Sequence, residues 1–134
     1  DAGSVSISKI IRIYREENKP LNIRWQKNYT PEDYLKLIFN SRCVVGNSSS
    51  AIREGAYLGI PGVNIGNRQR NREKGSNIIN VKNNGKEIYS AIRRQLRKKT
   101  RYKKEKIFGD GKTANRIVKI LLKTKIDINK TLNY

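Results

Sequence analysis

The stretch from Val44 to Glu54 constrains the fold more than any other part of this chain. It reads VVGNSSSAIRE, a short apolar run followed by glycine and four polar residues. The apolar run, which Cys43 extends, is typical of a buried strand, and Gly46 allows a tight turn after it. Asn47 and the three serines are residue types that begin helices, and Gly59 supplies a helix end. The pattern therefore predicts a strand, a polar turn and a packed helix.

A turn of this kind suits an anionic ligand. A strand that ends in a Gly/Ser turn before a helix presents unpaired backbone N–H groups, hydroxyls and the positive end of a helix dipole. Glu54 falls about one helical turn after the serines, where its carboxylate can accept hydrogen bonds from a vicinal diol such as ribose. Two simpler interpretations stay open: the serines are ordinary helix caps, and Glu54 pairs with Arg53 or a lysine on the helix surface.

A second short strand is predicted at residues 62–66, and it leads into the arginine-rich loop 67–72. Loops at the carboxyl ends of neighbouring parallel strands meet over one crevice, so we expect the serine turn and this loop to face one ligand. Arg68 lies nearest the strand end and is the best candidate for an anion contact, whereas Arg70 and Arg72 are as readily surface charge. An anion cradle, a guanidinium and a diol acceptor together indicate a nucleotide diphosphate.

Helix and strand patterns alternate along the rest of the chain. The predicted order is helix 4–17, strand 21–25, helix 31–40, strand 43–45, helix 51–58, strand 62–66, strand 77–81, helix 86–98 and a last helix from 113. Trp25 is expected in the core, and the charged run 98–106 is expected to be an exposed, mobile connector. Alternation of this kind builds a parallel sheet covered on both faces. The sequence thus predicts an α/β fold, a Rossmann-like three-layer parallel sheet.

The last predicted helix has an apolar face that we expect to point inward. Thr113 is its expected cap. The apolar positions are Ala114, Ile117, Val118, Leu121 and Leu122.

Composition narrows the class of protein. A length of 134 residues suits one domain with a real core. The chain has no histidine, which rules out a histidine metal site or a histidine general base within it, and no metal site is predicted. The single cysteine, Cys43, has no disulfide partner, so we expect a reducing compartment and an inert core thiol. No apolar run reaches the ~20 residues of a membrane span, and no membrane partner is expected.

The formal net charge of +19 raises nucleic acid as a partner. Much of the excess lies between Arg93 and Lys125, in helical patterns whose other face is apolar, and aromatic residues are not interleaved with it as base stacking requires. A solvated basic face is therefore favoured. A basic nucleic-acid-binding module stays as the alternative function, and steep weakening of its binding by salt would identify it.

The central block GNSSSAIREGAYLGIPGVNIGNRQRNREKGSNIINV resembles the C-terminal half of hydrolysing UDP-N-acetylglucosamine 2-epimerases. The opening DAGS and the later FGDG at 108–111 resemble further landmarks, so the resemblance runs from residue 1 to about residue 122. Members of that family have two Rossmann-like domains of the GT-B type with the active site between them. The resemblance implies that residues 1–125 are the second, UDP-binding domain, that 126–134 are a tail, and that the N-terminal half is absent.

The resemblance also implies roles for individual residues. It assigns Ser48 and Ser49 to the diphosphate of UDP, Glu54 to the ribose, Arg68 to a further nucleotide contact, Tyr29 to the uracil, and Gly46, Asn47 and Ser50 to the supporting loop. No catalytic residue is expected in this chain, because the groups that move protons belong to the first domain. No metal or redox cofactor is implied. The family commonly has glycine in place of Ala51 and a branched residue in place of Gly62.

Activity and partners are implied in the same way. The whole enzyme removes the proton at C2 of UDP-N-acetylglucosamine, expels UDP, and adds water to release N-acetylmannosamine for sialic, legionaminic or related acids. This chain alone is expected to bind UDP without turnover, in the cytoplasm, and to pair with the missing domain. The family commonly forms homo-oligomers, and the state of this chain stays open. A third interpretation is the UDP-sugar-binding domain of a GT-B glycosyltransferase, over which the blocks GNSSSAIRE and NIGNRQ favour an epimerase.

Overall fold

A computed structural model describes residues 4–125, and the chain divides into two compact units, Asp1–Pro31 and Glu32–Tyr134. The opening residues 1–3 and the predicted tail 126–134 lie outside the described residues. Among the helices that the structure describes, none combines the length and the apolar content that crossing a membrane would take.

The first unit contains one helix, α1 (Ser4–Asn18), as the sequence predicts. The helix ends where Lys19 takes a left-handed conformation (φ 40°) before Pro20. The predicted strand at 21–25 is wrong, because this segment is irregular and Leu21 is fully exposed. A strand needs a neighbouring sheet edge to take up its backbone hydrogen bonds, and alternation in the sequence cannot supply one.

Trp25 does not fill the core of this unit. Its ring makes an edge-to-face contact with Tyr14, with centroids 6.4 Å apart, and the guanidinium of Arg15 lies 5.7 Å from its centroid. The indole remains 37% exposed. The tryptophan therefore packs on the surface of α1.

The second unit is a small parallel sheet with helices. Its elements are α2 (Pro31–Asn40), β1 (Val44–Gly46), α3 (Arg53–Leu58), β2 (Gly62–Ile65), β3 (Ile78–Val81), α4 (Gly85–Arg97) and α5 (Thr113–Lys123). The strands lie in the order β1-β2-β3, all parallel, with Val63 paired to Val45 on one side and to Ile79 on the other. The α/β, Rossmann-like fold predicted from the sequence is confirmed.

The core of the second unit forms around α3 and β2. Its buried apolar residues are Ile38, Ala51, Ile52, Ala56, Ile60, Val63 and Ala91. The helix ends as predicted at Gly59, whose φ of 70° is left-handed. A Cβ at Gly62 would lie 2.6 Å from Ile78 Cδ1 and 3.4 Å from the Ala51 methyl group. A side chain at Gly62 would therefore require the end of the Ile78 side chain to move, whereas the distance to the Ala51 methyl group is ordinary van der Waals contact.

Two buried amides hold the second unit together: Gln95 joins α4 to the sheet, and Asn77, just before β3, joins the sheet to the two ends of α3. Gln95 Nε2 donates to the carbonyls of Gly62 (2.8 Å) and Asn77 (2.9 Å). Asn77 Nδ2 donates to the carbonyls of Ala51 (3.1 Å) and Ile60 (2.8 Å). Because both side chains are only 1% exposed, these bonds satisfy backbone groups that water does not reach.

The segment that follows α4 is anchored, so the prediction that residues 98–106 do not pack is wrong. The N–H of Tyr102 donates to Gly59 O (2.9 Å), and the N–H of Glu105 donates to Ala56 O (3.0 Å). The Glu105 carboxylate accepts from the Ser76 hydroxyl and backbone N–H, and these bonds lower its pKa. These backbone hydrogen bonds and the contact between Glu105 and Ser76 thus hold the segment against the rest of the second unit despite its high charge.

The apolar face of α5 is exposed, contrary to prediction. The helix has no buried residue, and Leu122 is 82% exposed. Thr113 is its first residue and not its cap, and no side chain caps this helix. A bidentate ion pair between Arg116 and Asp110 (2.9 and 2.6 Å) instead joins the helix to the preceding turn.

Candidate functional site

The turn between β1 and α3 is built from the backbone and not from serine caps. Gly46 ends the strand with φ 151°. The carbonyl of Ser49 accepts from the N–H groups of Ile52 (3.0 Å) and Arg53 (2.8 Å). The helix begins at Arg53, and no side chain caps it, so the prediction that the serines cap α3 is wrong. The backbone turn at residues 49–53 accepts the hydrogen bonds of the Ile52 and Arg53 N–H groups instead of a serine side chain.

The serine turn lies at the surface. Asn47 and Ser48 are exposed, and Ser49 and Ser50 are half-buried. The Ser48 hydroxyl accepts from the Ser50 N–H (3.3 Å). Among residues 4–125, no acceptor takes the backbone N–H groups of Ser48 and Ser49. The Ser48 and Ser50 hydroxyls hydrogen-bond to each other (3.2 Å). The two backbone donors and the Ser49 hydroxyl therefore remain for a ligand.

Glu54 lies on the first turn of α3 and is half-buried. Its Oε2 is buried and has no hydrogen-bond partner among the described residues. The surface pairing with Arg53 or a lysine, which the sequence left open, does not occur within residues 4–125. A buried carboxylate oxygen without a donor is unfavourable, and a ligand with a hydroxyl donor would satisfy it.

The arginine-rich loop lies next to the serine turn. Parallel pairing sets Gly46 beside Asn64, so the two strands end together. Gln69 is 5% exposed, and its Nε2 donates to Asn47 O (3.0 Å). Arg68 is exposed on the same loop. No local pattern distinguishes Gln69 from its neighbours, because its amide makes this bond only once the two loops are adjacent.

Tyr29 lies in the first unit and is 46% exposed. The strand that was expected to position it is not formed. Its role at the uracil stays a prediction.

Two cavities open on the second unit. The larger, about 740 Å³, has a mostly apolar wall that includes Leu35, Phe39, Tyr57 and Phe108, and Glu54 lies on this wall. The smaller, about 590 Å³, lies at the carboxyl ends of β2 and β3. Neither wall includes Ser48, Ser49 or Arg68, whereas Glu54 lies on the wall of the larger cavity.

The remaining candidates for chemistry in residues 4–125 are possible metal ligands and the thiol of Cys43. The described part of the chain brings together no group of three potential metal ligands. Cys43 is half-buried, and this burial raises the pKa of its thiol. A thiol of raised pKa is a poor nucleophile at neutral pH.

Comparison with known proteins gives a family. A sequence model of the family described as UDP-N-acetylglucosamine 2-epimerase matches residues 2–122 of this chain. A UDP-N,N'-diacetylbacillosamine 2-epimerase (hydrolyzing) from Legionella pneumophila is 32% identical over 121 residues, which cover 90% of this chain and 31% of the relative. This chain is therefore similar to that relative along most of its own length.

Two further relatives match over shorter stretches. A UDP-N-acetylglucosamine 2-epimerase from Neisseria meningitidis is 41% identical over 61 residues, or 46% of this chain and 16% of the relative. A GDP/UDP-N,N'-diacetylbacillosamine 2-epimerase (hydrolyzing) from Campylobacter jejuni is 33% identical over 79 residues, or 59% of this chain and 20% of the relative. The chain spans less than a third of the length of these relatives.

Proposed function

Because this chain belongs to the UDP-N-acetylglucosamine 2-epimerase family, we propose that it is the UDP-binding part of a hydrolysing 2-epimerase. The observation that carries the proposal is the buried Oε2 of Glu54, an acceptor without a donor among the described residues, four residues after Ser50 of the serine turn. An acceptor for a diol and donors for a phosphate on one short segment suit a nucleoside diphosphate.

The serine turn would hold the diphosphate. The N–H groups of Ser48 and Ser49 and the nearby hydroxyls are donors, and donors that bind a charged phosphate make stronger hydrogen bonds than neutral pairs do. Arg68, on the loop that Gln69 ties to Asn47, would add a positive charge. These groups would also stabilise the charge that develops on UDP as it leaves the sugar.

Glu54 would hold the ribose, since a carboxylate can accept from both hydroxyls of a vicinal diol. Tyr29 would contact the uracil, a role that follows from the resemblance alone. Gly46, Asn47 and Ser50 would support the loop.

The complete enzyme would consist of two domains of the GT-B type, with residues 1–125 as the second domain and residues 126–134 as a tail. The reaction would be removal of the proton at C2, elimination of UDP and addition of water, and the first domain would supply the acids and bases. The names of the Legionella and Campylobacter relatives, both hydrolyzing, support this subtype. N-acetylmannosamine as product, a cytoplasmic location and a homo-oligomer belong to the same proposal.

Titration with UDP, UMP and uridine tests the proposal. We expect the affinity to rise from uridine to UMP to UDP, because each phosphate adds contacts with the serine turn. Equal affinity for UDP and uridine would mean that the serine turn holds no phosphate.

A double variant, Ser48→Ala with Ser49→Ala, gives the matched control. It keeps the backbone N–H groups and removes two hydroxyl donors, so we expect UDP to bind about tenfold more weakly and uridine to be unaffected.

Titration with a short RNA at rising salt addresses the nucleic-acid alternative. RNA that binds more tightly than UDP and loses affinity steeply with salt would favour that alternative.

A further inference from the structure

The smaller cavity, at the carboxyl ends of β2 and β3, contains none of the residues proposed to hold UDP. Four asparagines and three basic residues line it, and no carboxylate does. Its volume of about 590 Å³ falls within the range of small-molecule sites. The wall therefore combines hydrogen-bonding amides with positive charge.

Asn64 is the buried polar group of this cavity and is 2% exposed. Its Nδ2 donates to Asn80 Oδ1 (2.9 Å), and its Oδ1 has no partner. If both amides were turned over, the group left without a partner would be Nδ2. In both orientations one polar group of Asn64, either the oxygen or the nitrogen, has no partner. A ligand hydroxyl can satisfy whichever group it is, because a hydroxyl both donates and accepts hydrogen bonds.

Lys74 is the basic residue of this cavity whose side chain is held in place. Lys74 Nζ donates to the carbonyls of Arg70 (3.0 Å) and Arg72 (2.9 Å), so it fixes the loop that carries Arg70 to the cavity. Lys82 directly follows β3, lines the cavity and is exposed. The Glu87 carboxylate accepts from the Lys82 backbone N–H (3.1 Å), yet Glu87 is not part of the wall.

We propose that this cavity binds a small polyhydroxylated anion, with Arg70 and Lys82 on the anionic group and Asn64 on a hydroxyl. The anionic group is a phosphate or a carboxylate, and the proposal does not depend on UDP binding elsewhere.

Calorimetric titration of the 134-residue chain with glucose 6-phosphate, gluconate, glucose and inorganic phosphate tests the proposal. We expect glucose 6-phosphate or gluconate to bind more tightly than both glucose and inorganic phosphate, and the tighter of the two identifies the anionic group. Arg70→Ala and Lys82→Ala are each expected to weaken that binding about three- to tenfold. Arg72→Ala, on the same loop but outside the wall, is expected to change it less than about twofold.

Asn64→Ala tests the hydroxyl contact, and it should weaken binding of the sugar anion while leaving inorganic phosphate unchanged. If that variant does not fold, the exposed Lys82 still decides the question. Three results would overturn the proposal. Neither sugar anion binds, or Arg72→Ala weakens binding as much as Lys82→Ala does. The third is that inorganic phosphate binds as tightly as both sugar anions. Ser48→Ala with Ser49→Ala should leave the binding intact, and its loss in that variant would assign it to the UDP site instead.

Discussion

Loss of the Gln95 side chain should destabilise the second unit. It makes three hydrogen bonds from a site that is 1% exposed, two to backbone carbonyls and one from the Tyr102 hydroxyl (2.8 Å). Leucine has a similar volume, so Gln95→Leu removes the polar contacts and leaves the packing nearly unchanged. A typical intramolecular hydrogen bond contributes about 1 kcal/mol net, which suggests a loss of roughly 3 kcal/mol.

The carbonyl of Asn77 moderates this figure, because it also accepts from the Gly62 N–H (2.8 Å) and stays paired in the variant. We therefore expect the free energy of unfolding to fall by about 2–3 kcal/mol. Urea unfolding followed by far-ultraviolet circular dichroism is the assay, since most of the described helices and all of the described strands lie in this unit. A loss below about 1 kcal/mol would refute the reasoning.

Tyr102→Phe provides the control, because it removes one of the three bonds. We expect it to cost about 1 kcal/mol in the wild-type chain and close to nothing in Gln95→Leu. Equal costs in the two backgrounds would mean that the hydroxyl and the amide do not interact.

Three further predictions concern packing, pH and the surface. Gly62→Val should lower the free energy of unfolding by about 1–3 kcal/mol, and Ile78→Val in addition should restore part of it in urea unfolding, because it removes the Cδ1 atom that the new Cβ would meet. The ion pair with Arg116 and a bond from a backbone N–H lower the pKa of Asp110 to about 2. Since the unfolded pKa is about 4, the pair stabilises the chain above pH 4, and this stabilisation is lost as the pH falls through about 2. The stability difference between wild type and Asp110→Asn should therefore shrink between pH 5 and pH 2, and a constant difference would contradict the assignment. Leu122→Gln should change the midpoint of thermal unfolding by less than the equivalent of about 0.5 kcal/mol, because Leu122 is largely exposed.

Local sequence signals predicted the parallel sheet well. The runs that become β1, β2 and β3 are short, apolar and bounded by glycine or asparagine, and α3 ends at the glycine that its sequence indicated. Asn84, directly before α4, caps that helix by accepting from the N–H groups of Lys86 and Glu87 (3.0 and 3.1 Å). These features depend on neighbours within a few residues, which a sequence displays directly.

The errors concern features that depend on distant parts of the chain. Residues 21–25 alternate like a strand but have no sheet edge to join, and the apolar side of α5 does not reveal whether anything covers it. The serines were predicted as caps, yet a backbone turn performs that function. Gln69 and Gln95 act only through residues distant in sequence, so no local pattern identifies them.

The central claim is that the serine turn and Glu54 hold UDP, and a map of backbone amide chemical shifts during UDP titration tests it most directly. If UDP binds there, we expect the largest chemical-shift changes at Ser48, Ser49 and Glu54 and smaller ones at Arg68. We expect no change at Lys82, which lies on the separate cavity. Shifts confined to residues far from the serine turn, or no shifts at saturating UDP, would contradict it.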